Sequence, residues 1–153
     1  MIGTKGFDLL NAVVAALDTA LDVDVYDGPV VTGDADANYV IVGGTELADE
    51  DTDESAFTSD GEWRTVPIQA GSRGEDITIP CCVVAWSGSG DYSTLRGQIN
   101  THLDTIATAL LTVTPVLAGL TYINLTNLSL RQIPDGDGLE CRLTFDLDAR
   151  FLI

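Results

Sequence analysis

The stretch GLECRLTFDLDARFLI, residues 138–153, alternates apolar and polar side chains almost without error. Cys141, Leu143, Phe145, Leu147, Ala149 and Phe151 fall on one side, and Arg142, Thr144, Asp146, Asp148 and Arg150 on the other. Successive strand side chains point to opposite faces, so this pattern describes a β-strand with one face in a core and one bearing charge. Slipping its register by one residue would bury every charge it carries, which fixes how it can pair. The segment LTYINLTNLSL, residues 120–130, also alternates. Between the two, residues 131–138 contain the turn cluster PDGDG, so a C-terminal hairpin is predicted.

The apolar face of that hairpin needs a covering layer, and two helical patterns supply one. Residues 7–21 place Phe7, Leu10, Val13, Val14, Leu17 and Leu21 at helical spacing. Residues 92–113 do the same with Leu95, Ile99, Leu103, Ile106 and Leu110; Asp91 or Ser93 is a candidate cap, and Pro115 and Gly119 close the helix. Further strands are read at 23–26, 39–42, 63–70 and 75–87. Pro67 marks the third of these as an edge or a bulge. The density of Ile, Cys and Val in the fourth points to burial on both faces. The expected fold class is α+β: a largely antiparallel sheet with two helices packed on one face, a C-terminal hairpin, and a projecting acidic loop at 45–62. Nothing along the 153 residues reads as a repeat or a linker, so 1–153 is expected to be a single domain.

Charge narrows the partners. Lys and Arg total 7 against 24 Asp and Glu, for a formal net charge of −17. Phosphate contacts need cations, so the balance opposes direct binding to nucleic acid and to anionic membranes. Asp dominance over Glu and the scarcity of Lys equally fit a high-salt host or a GC-rich genome, which would make part of the charge a matter of provenance. The first residues, MIGTKGFDLL, lack signal-peptide order. No apolar run is long enough for a membrane span. Cys81, Cys82 and Cys141 are odd in number, two are adjacent, and all sit in strand patterns. They read as small buried hydrophobes in a reducing compartment. The expected setting is inside a cell, or in a particle assembled there.

Motifs for catalysis or cofactors fall short. GSGDYS after residue 87 resembles the start of a dinucleotide fingerprint, but Ser93 stands where the third Gly belongs and Asp91 would repel a phosphate. The single histidine, His102, lies at the margin of a helical stripe, where packing is the plainer reading. In the acidic loop, Asp49, Asp51 and Asp53 match alternate positions of a calcium loop, yet Glu54 stands where the sharp turn requires Gly. A solvated acidic loop is the plainer account of Glu46, Asp49, Glu50, Asp51, Asp53 and Glu54. Asp146 and Asp148 lie two apart on one strand face, as an acid–base pair would. With Arg142 and Arg150 bracketing them, they also form a strip of self-complementary charge suited to a neighbouring copy. Arg142, Asp146, Asp148, Arg150, Arg131 and Arg96 are therefore candidate subunit-contact residues. Neither an enzyme nor a cofactor is expected.

One resemblance adds to this. A strand with Cys82, Val84 and Trp86 leads into SGSGD; a helix with Leu95-Arg96 follows, ending near Pro115, then Leu117-Ala118-Gly119-Leu120 and two long strands, the last ending FDLDARFLI. This order, with the N-terminal helix and the Asp27-Gly28 turn, resembles the tail terminator (tail completion) proteins of long-tailed phages and their archaeal relatives. Subunits of head–tail connectors and stoppers are similar in kind. The resemblance implies a structural virion protein at the head-proximal end of the tail, assembled in the host cytoplasm. It implies a homo-oligomer, a hexameric ring that caps the tail tube, stops its polymerisation and meets a connector or stopper protein. DNA would pass through the lumen without specific binding. The acidic loop would line that lumen or face an adjacent ring. A small acidic binding domain, taking a cation or a basic partner, is the alternative of a different class.

Overall fold

The structure, a computed structural model, describes residues 5–28, 37–45, 62–69, 72–135 and 137–152. In chain order its elements are α1 (Gly6–Ala20), β1 (Asp24–Asp27), β2 (Asn38–Val42), β3 (Glu62–Gln69), β4 (Ser72–Ser87), α2 (Tyr92–Leu110), β5 (Leu120–Asp135) and β6 (Gly138–Leu152). The strands form one sheet in the order β1-β2-β4-β6-β5, with β3 paired to β4 off this path. Every pairing is antiparallel except β1 with β2. The α+β class follows as expected. The acidic segment with Glu46, Asp49, Glu50, Asp51, Asp53 and Glu54 lies outside the described residues.

The C-terminal strand sits inside the sheet. β6 pairs along its whole length with β4, from Gly74↔Leu152 to Ser87↔Leu139, and on its other side with β5. From Cys141 to Phe151 its burial alternates residue by residue as the sequence pattern requires. The inward set, Leu143, Phe145, Leu147, Ala149 and Phe151, joins Ile77, Ile79, Cys81, Val83 and Ala85 of β4 in the main core. Both helices cover this face: α1 through Leu9, Val13 and Leu17, α2 through Leu95, Ile99 and Ile106. The stripe expected on α1 is turned from the observed one. Leu9 is fully buried, whereas Phe7 is 66% exposed. The helical period is satisfied by Leu9, Val13 and Leu17 at intervals of four, and Phe7 falls off that line.

β4 changes neighbour midway on one side. Its first half pairs with β3 as far as Glu62↔Thr78, and its second half pairs with β2 from Val42↔Cys81. Pro80 stands at the junction. Its carbonyl accepts from the Gly43 N–H at 2.8 Å, so its missing N–H faces the gap between the two neighbours, where a donor has little to reach. Pro67 coincides with a register shift in β3, which has β4 as its one partner among the described residues, so the reading of edge or bulge holds. The final turn is tighter than the PDGDG cluster suggests. Arg131, Gln132, Ile133 and Pro134 continue β5, whose pairing with β6 runs to Asp135↔Gly138. Gly138 is required there: a Cβ at that position would lie 2.3 Å from the Ser87 carbonyl oxygen.

The N-terminus of α1 is capped from a distance. Lys5, at the cap position, provides no side-chain bond. Instead the Glu75 carboxylate accepts the Lys5 N–H at 3.2 and 3.3 Å, with Glu75 only 4% exposed. A carboxylate at a helix N-terminus satisfies an orphan donor and opposes the positive end of the helix dipole. Glu75→Ala is expected to lower unfolding free energy by about 1–3 kcal/mol. Urea denaturation followed by far-UV circular dichroism checks this; an unchanged midpoint would refute a capping role.

All three cysteines are buried free thiols. Burial pushes the Cys81 thiol up to about 12, so it stays protonated and unreactive. No described helix is long and apolar enough to cross a membrane.

Candidate functional site

The sheet face opposite the helices carries the charged strip of β6, and most of its charges are answered within the chain. Arg150 Nε donates to Asp76 Oδ1 at 2.8 Å, and Nη2 to Oδ2 at 3.4 Å, across the β4–β6 pair. Asp148 accepts from Thr78 Oγ1 of β4 at 2.9 Å and from Thr126 Oγ1 of β5 at 2.8 Å, which ties three strands together. Asp146 accepts from Asn127 Nδ2 at 3.0 Å. Asn127 has φ 54°, at the bulge where β5 gains a residue between Thr126 and Ser129. Asp76, Asp146, Asp148, Tyr122 and Asn127 border an open hollow of about 410 Å³.

Arg142 anchors the other half of the face. It donates to the Thr45 carbonyl and, at 3.4 Å, to the Tyr39 hydroxyl, and Glu140 lies 3.6 Å away. Burial works against its charge, yet Tyr39, Cys82 and Glu140 together hold its pKa above the ordinary value. Burial likewise raises the Tyr39 phenol, with Arg142 partly offsetting it. Beside this arginine, Tyr39, Ile41, Cys82 and Val84 form a second apolar cluster on the outer face. The expectation that the central strand is buried on both faces is therefore met, since Cys81 and Cys82 are both at 0% exposure. Tyr26 meets Tyr39 edge to face, with ring centroids 5.9 Å apart.

Of the remaining candidates, Arg96 is on α2 and Arg131 is on β5. This strand runs for 16 residues and has β6 as its one neighbour among the described residues. Tyr122, Leu128 and Leu130 are 40%, 53% and 42% exposed on it. Arg131 stands directly opposite Arg142 in register, on the outer face, and is exposed without a partner among the described residues. Arg96 reaches from α2 to the Gln132 side-chain oxygen. The structure thus separates the six residues. Arg142, Asp146, Asp148 and Arg150 are knitted into one polar surface, Arg96 braces β5, and Arg131 projects alone.

The motifs set aside in the sequence have local structural uses. Ser87 Oγ accepts the N–H groups of Ser89 and Gly90, at 3.3 and 2.8 Å. Those are loop donors that a phosphate cradle would need. Asp91 caps α2, accepting the Thr94 N–H at 2.8 Å, and that bond holds its carboxyl below the usual range. His102 is half-buried on α2, on the helical side of the sheet. Among the described residues, no group of three or more His, Cys, Asp or Glu side chains is placed to hold a metal ion.

Sequence reading missed Asp76, Thr78 and Thr126 as partners of the strip, and Glu75 as the distant cap. The only signal was alternation: Asp76 and Thr78 fall on the polar side of EDITI, and Thr126 on that of LTYINLT. No protein family and no curated protein matches the chain. Among solved structures it is similar to a chain in the virion of a native gene transfer agent particle, with 15% identity and a TM-score of 0.46; 93% of this chain and 94% of that chain are covered.

Proposed function

We infer that this protein is a structural, non-enzymatic subunit of a phage-like virion, and that its part is the tail terminator: a ring on the head-proximal end of the tail tube. The observation that carries the reading is β5. A long edge strand with exposed apolar residues invites pairing, and proteins that stay monomeric blunt such edges with charge, proline or a short length. Here Tyr122, Leu128 and Leu130 stay exposed on a 16-residue strand whose charges and proline, Arg131, Pro134 and Asp135, are confined to its last five residues. A subunit that closes into a ring through head-to-tail contacts has a use for that edge. The element order supports the reading too: the N-terminal helix, the strand leading through SGSGD into α2, and the closing hairpin follow the resemblance seen in the sequence. A ring of subunits at net charge −17 would repel passing DNA and leave it free to slide.

The partners on this reading are further copies of the chain, a tail tube protein, and a connector or stopper protein. The polar face of Arg142, Asp146, Asp148 and Arg150 would be offered to them as one rigid surface.

Negative-stain imaging of the concentrated protein, alone and mixed with purified tail tubes, tests this. Six-fold rings, or caps at one end of each tube, are expected. Rings that ignore tubes but bind tail-less heads would make it a connector or stopper instead. Small monodisperse particles in both samples would remove the virion reading. Melting that then shifts with calcium or a basic peptide would favour the acidic binding domain.

A further inference from the structure

The sheet ends in two strands, β5 and β1, that each have one neighbour among the described residues. β5 carries one base, Arg131, with one acid, Asp135, at its hairpin end, and β1 carries acids alone. β1 is the tetrapeptide Asp-Val-Tyr-Asp, with Asp24 and Asp27 exposed. Asp24, like Arg131, has no partner among the described residues.

Directions and faces match as well. β1 runs parallel to β2, while β2, β4, β6 and β5 alternate, so β1 and β5 are antiparallel across the sheet. Two copies laid side by side with helices on the same side therefore present β5 of one to β1 of the next as an antiparallel pair. Arg131 lies opposite Arg142, and Asp24 opposite Tyr39, so both are on the outer face. Leu130 lies opposite Leu143, and Val25 opposite Val40, so both are on the helical face.

Backbone hydrogen bonding selects the same alignment. The Leu152 N–H donates to the Gly119 carbonyl at 2.9 Å, which sets the alternation along β6 and turns the polar backbone groups of Leu128 and Leu130 to the free edge of β5. The Gly28 N–H donates to the Val42 carbonyl at 2.7 Å, which likewise turns those of Val25 and Asp27 to the free edge of β1. Leu130 opposite Val25 then forms a hydrogen-bonded pair. Arg131 opposite Asp24 falls in the adjacent non-hydrogen-bonded pair, where side chains approach most closely. A slip of one residue mismatches both faces and donors. A slip of two residues in one direction sets Arg131 against Tyr26 and Asp24 against Ile133, which loses the charge pair, and in the other it takes Arg131 past the start of β1.

We propose that β5 of one copy pairs with β1 of the next, with Arg131 against Asp24 and Leu130 against Val25, so that the sheet continues from subunit to subunit. This names the contact of the ring inferred above and rests on that reading. The contact is heterologous, using two different surfaces, so repetition generates a ring when the rotation between neighbours closes.

The test is a chain carrying both Arg131→Cys and Asp24→Cys, oxidised mildly at a concentration where the parent is imaged. Facing positions in a non-hydrogen-bonded antiparallel pair fall within disulfide reach. The native thiols are buried and compete little. A ladder of covalent multimers is expected on non-reducing gels, and a mixture of the two single-cysteine chains should stop at dimers. Separately, Arg131→Asp and Asp24→Arg should each lose assembly, and their combination should regain it. Rings without a ladder, or single charge variants that assemble like the parent, would overturn the edge pairing and leave the ring reading intact. Monomers at every concentration, for the parent too, would remove both.

Discussion

Phe145→Ala is expected to lower the free energy of unfolding by about 3–5 kcal/mol, the usual cost of emptying a large aromatic site in a packed core. Phe145 is 2% exposed, on β6, directly across from Cys81 of the central strand β4. In register it stands at the bulge, where β5 gains a residue between Thr126 and Ser129. With small domains stable by only about 5–15 kcal/mol, such a loss is a large share of the total. Urea denaturation measures it: the midpoint should fall while the slope stays constant. A loss below about 1 kcal/mol would mean that the site collapses freely, and that the core is not organised around β6.

Gly119→Ala is expected to cost about 2–4 kcal/mol, for two reasons that add. Gly119 has φ +85°, where a side chain is strained by about 1–2 kcal/mol. A Cβ there would also lie 2.5 Å from the Leu152 carbonyl oxygen, which is backbone and cannot swing aside. Gly119 in turn accepts the Leu152 N–H, so the clash falls on the bond that aligns the start of β5 with the end of β6. Gly97→Ala on α2 is the matching control. Nothing lies within 4 Å of a Cβ at Gly97, and a helical Gly-to-Ala change gains up to about 1 kcal/mol. Thermal melts of the pair should move in opposite directions. A Gly119→Ala protein as stable as the parent would show that this junction relaxes.

The sheet was legible where periodicity alone decides. Residues 138–152 have a period of two and no competing signal, and from Cys141 to Phe151 their burial pattern follows the sequence residue for residue. The helix over 7–21 was legible as a helix but not in its facing. Several apolar residues compete for its stripe, and contact with the sheet selects Leu9 over Phe7. Arg131–Pro134 looked like turn because Pro and Gly follow closely, yet an edge strand tolerates a proline, and β5 runs through it. The partners of the charged strip were not legible. Arg150 and Asp76 are 74 residues apart, and Thr78 and Asp148 are 70 apart. Only the register of β4 on β6 brings them together. For the same reason the sequence presented six candidate contact residues as equals, and pairing divides them into those held and the one that projects.

The change of neighbour at Pro80 has a consequence for how the protein opens. β3 is bonded to only the first half of β4, whereas the second half is held between β2 and β6. β3 can therefore separate without disturbing the ladder of β2, β4, β6 and β5. Amide hydrogen exchange should show this as graded protection, with β3 exchanging by local opening and the β4–β6 amides near Cys81 and Phe145 exchanging only on global unfolding.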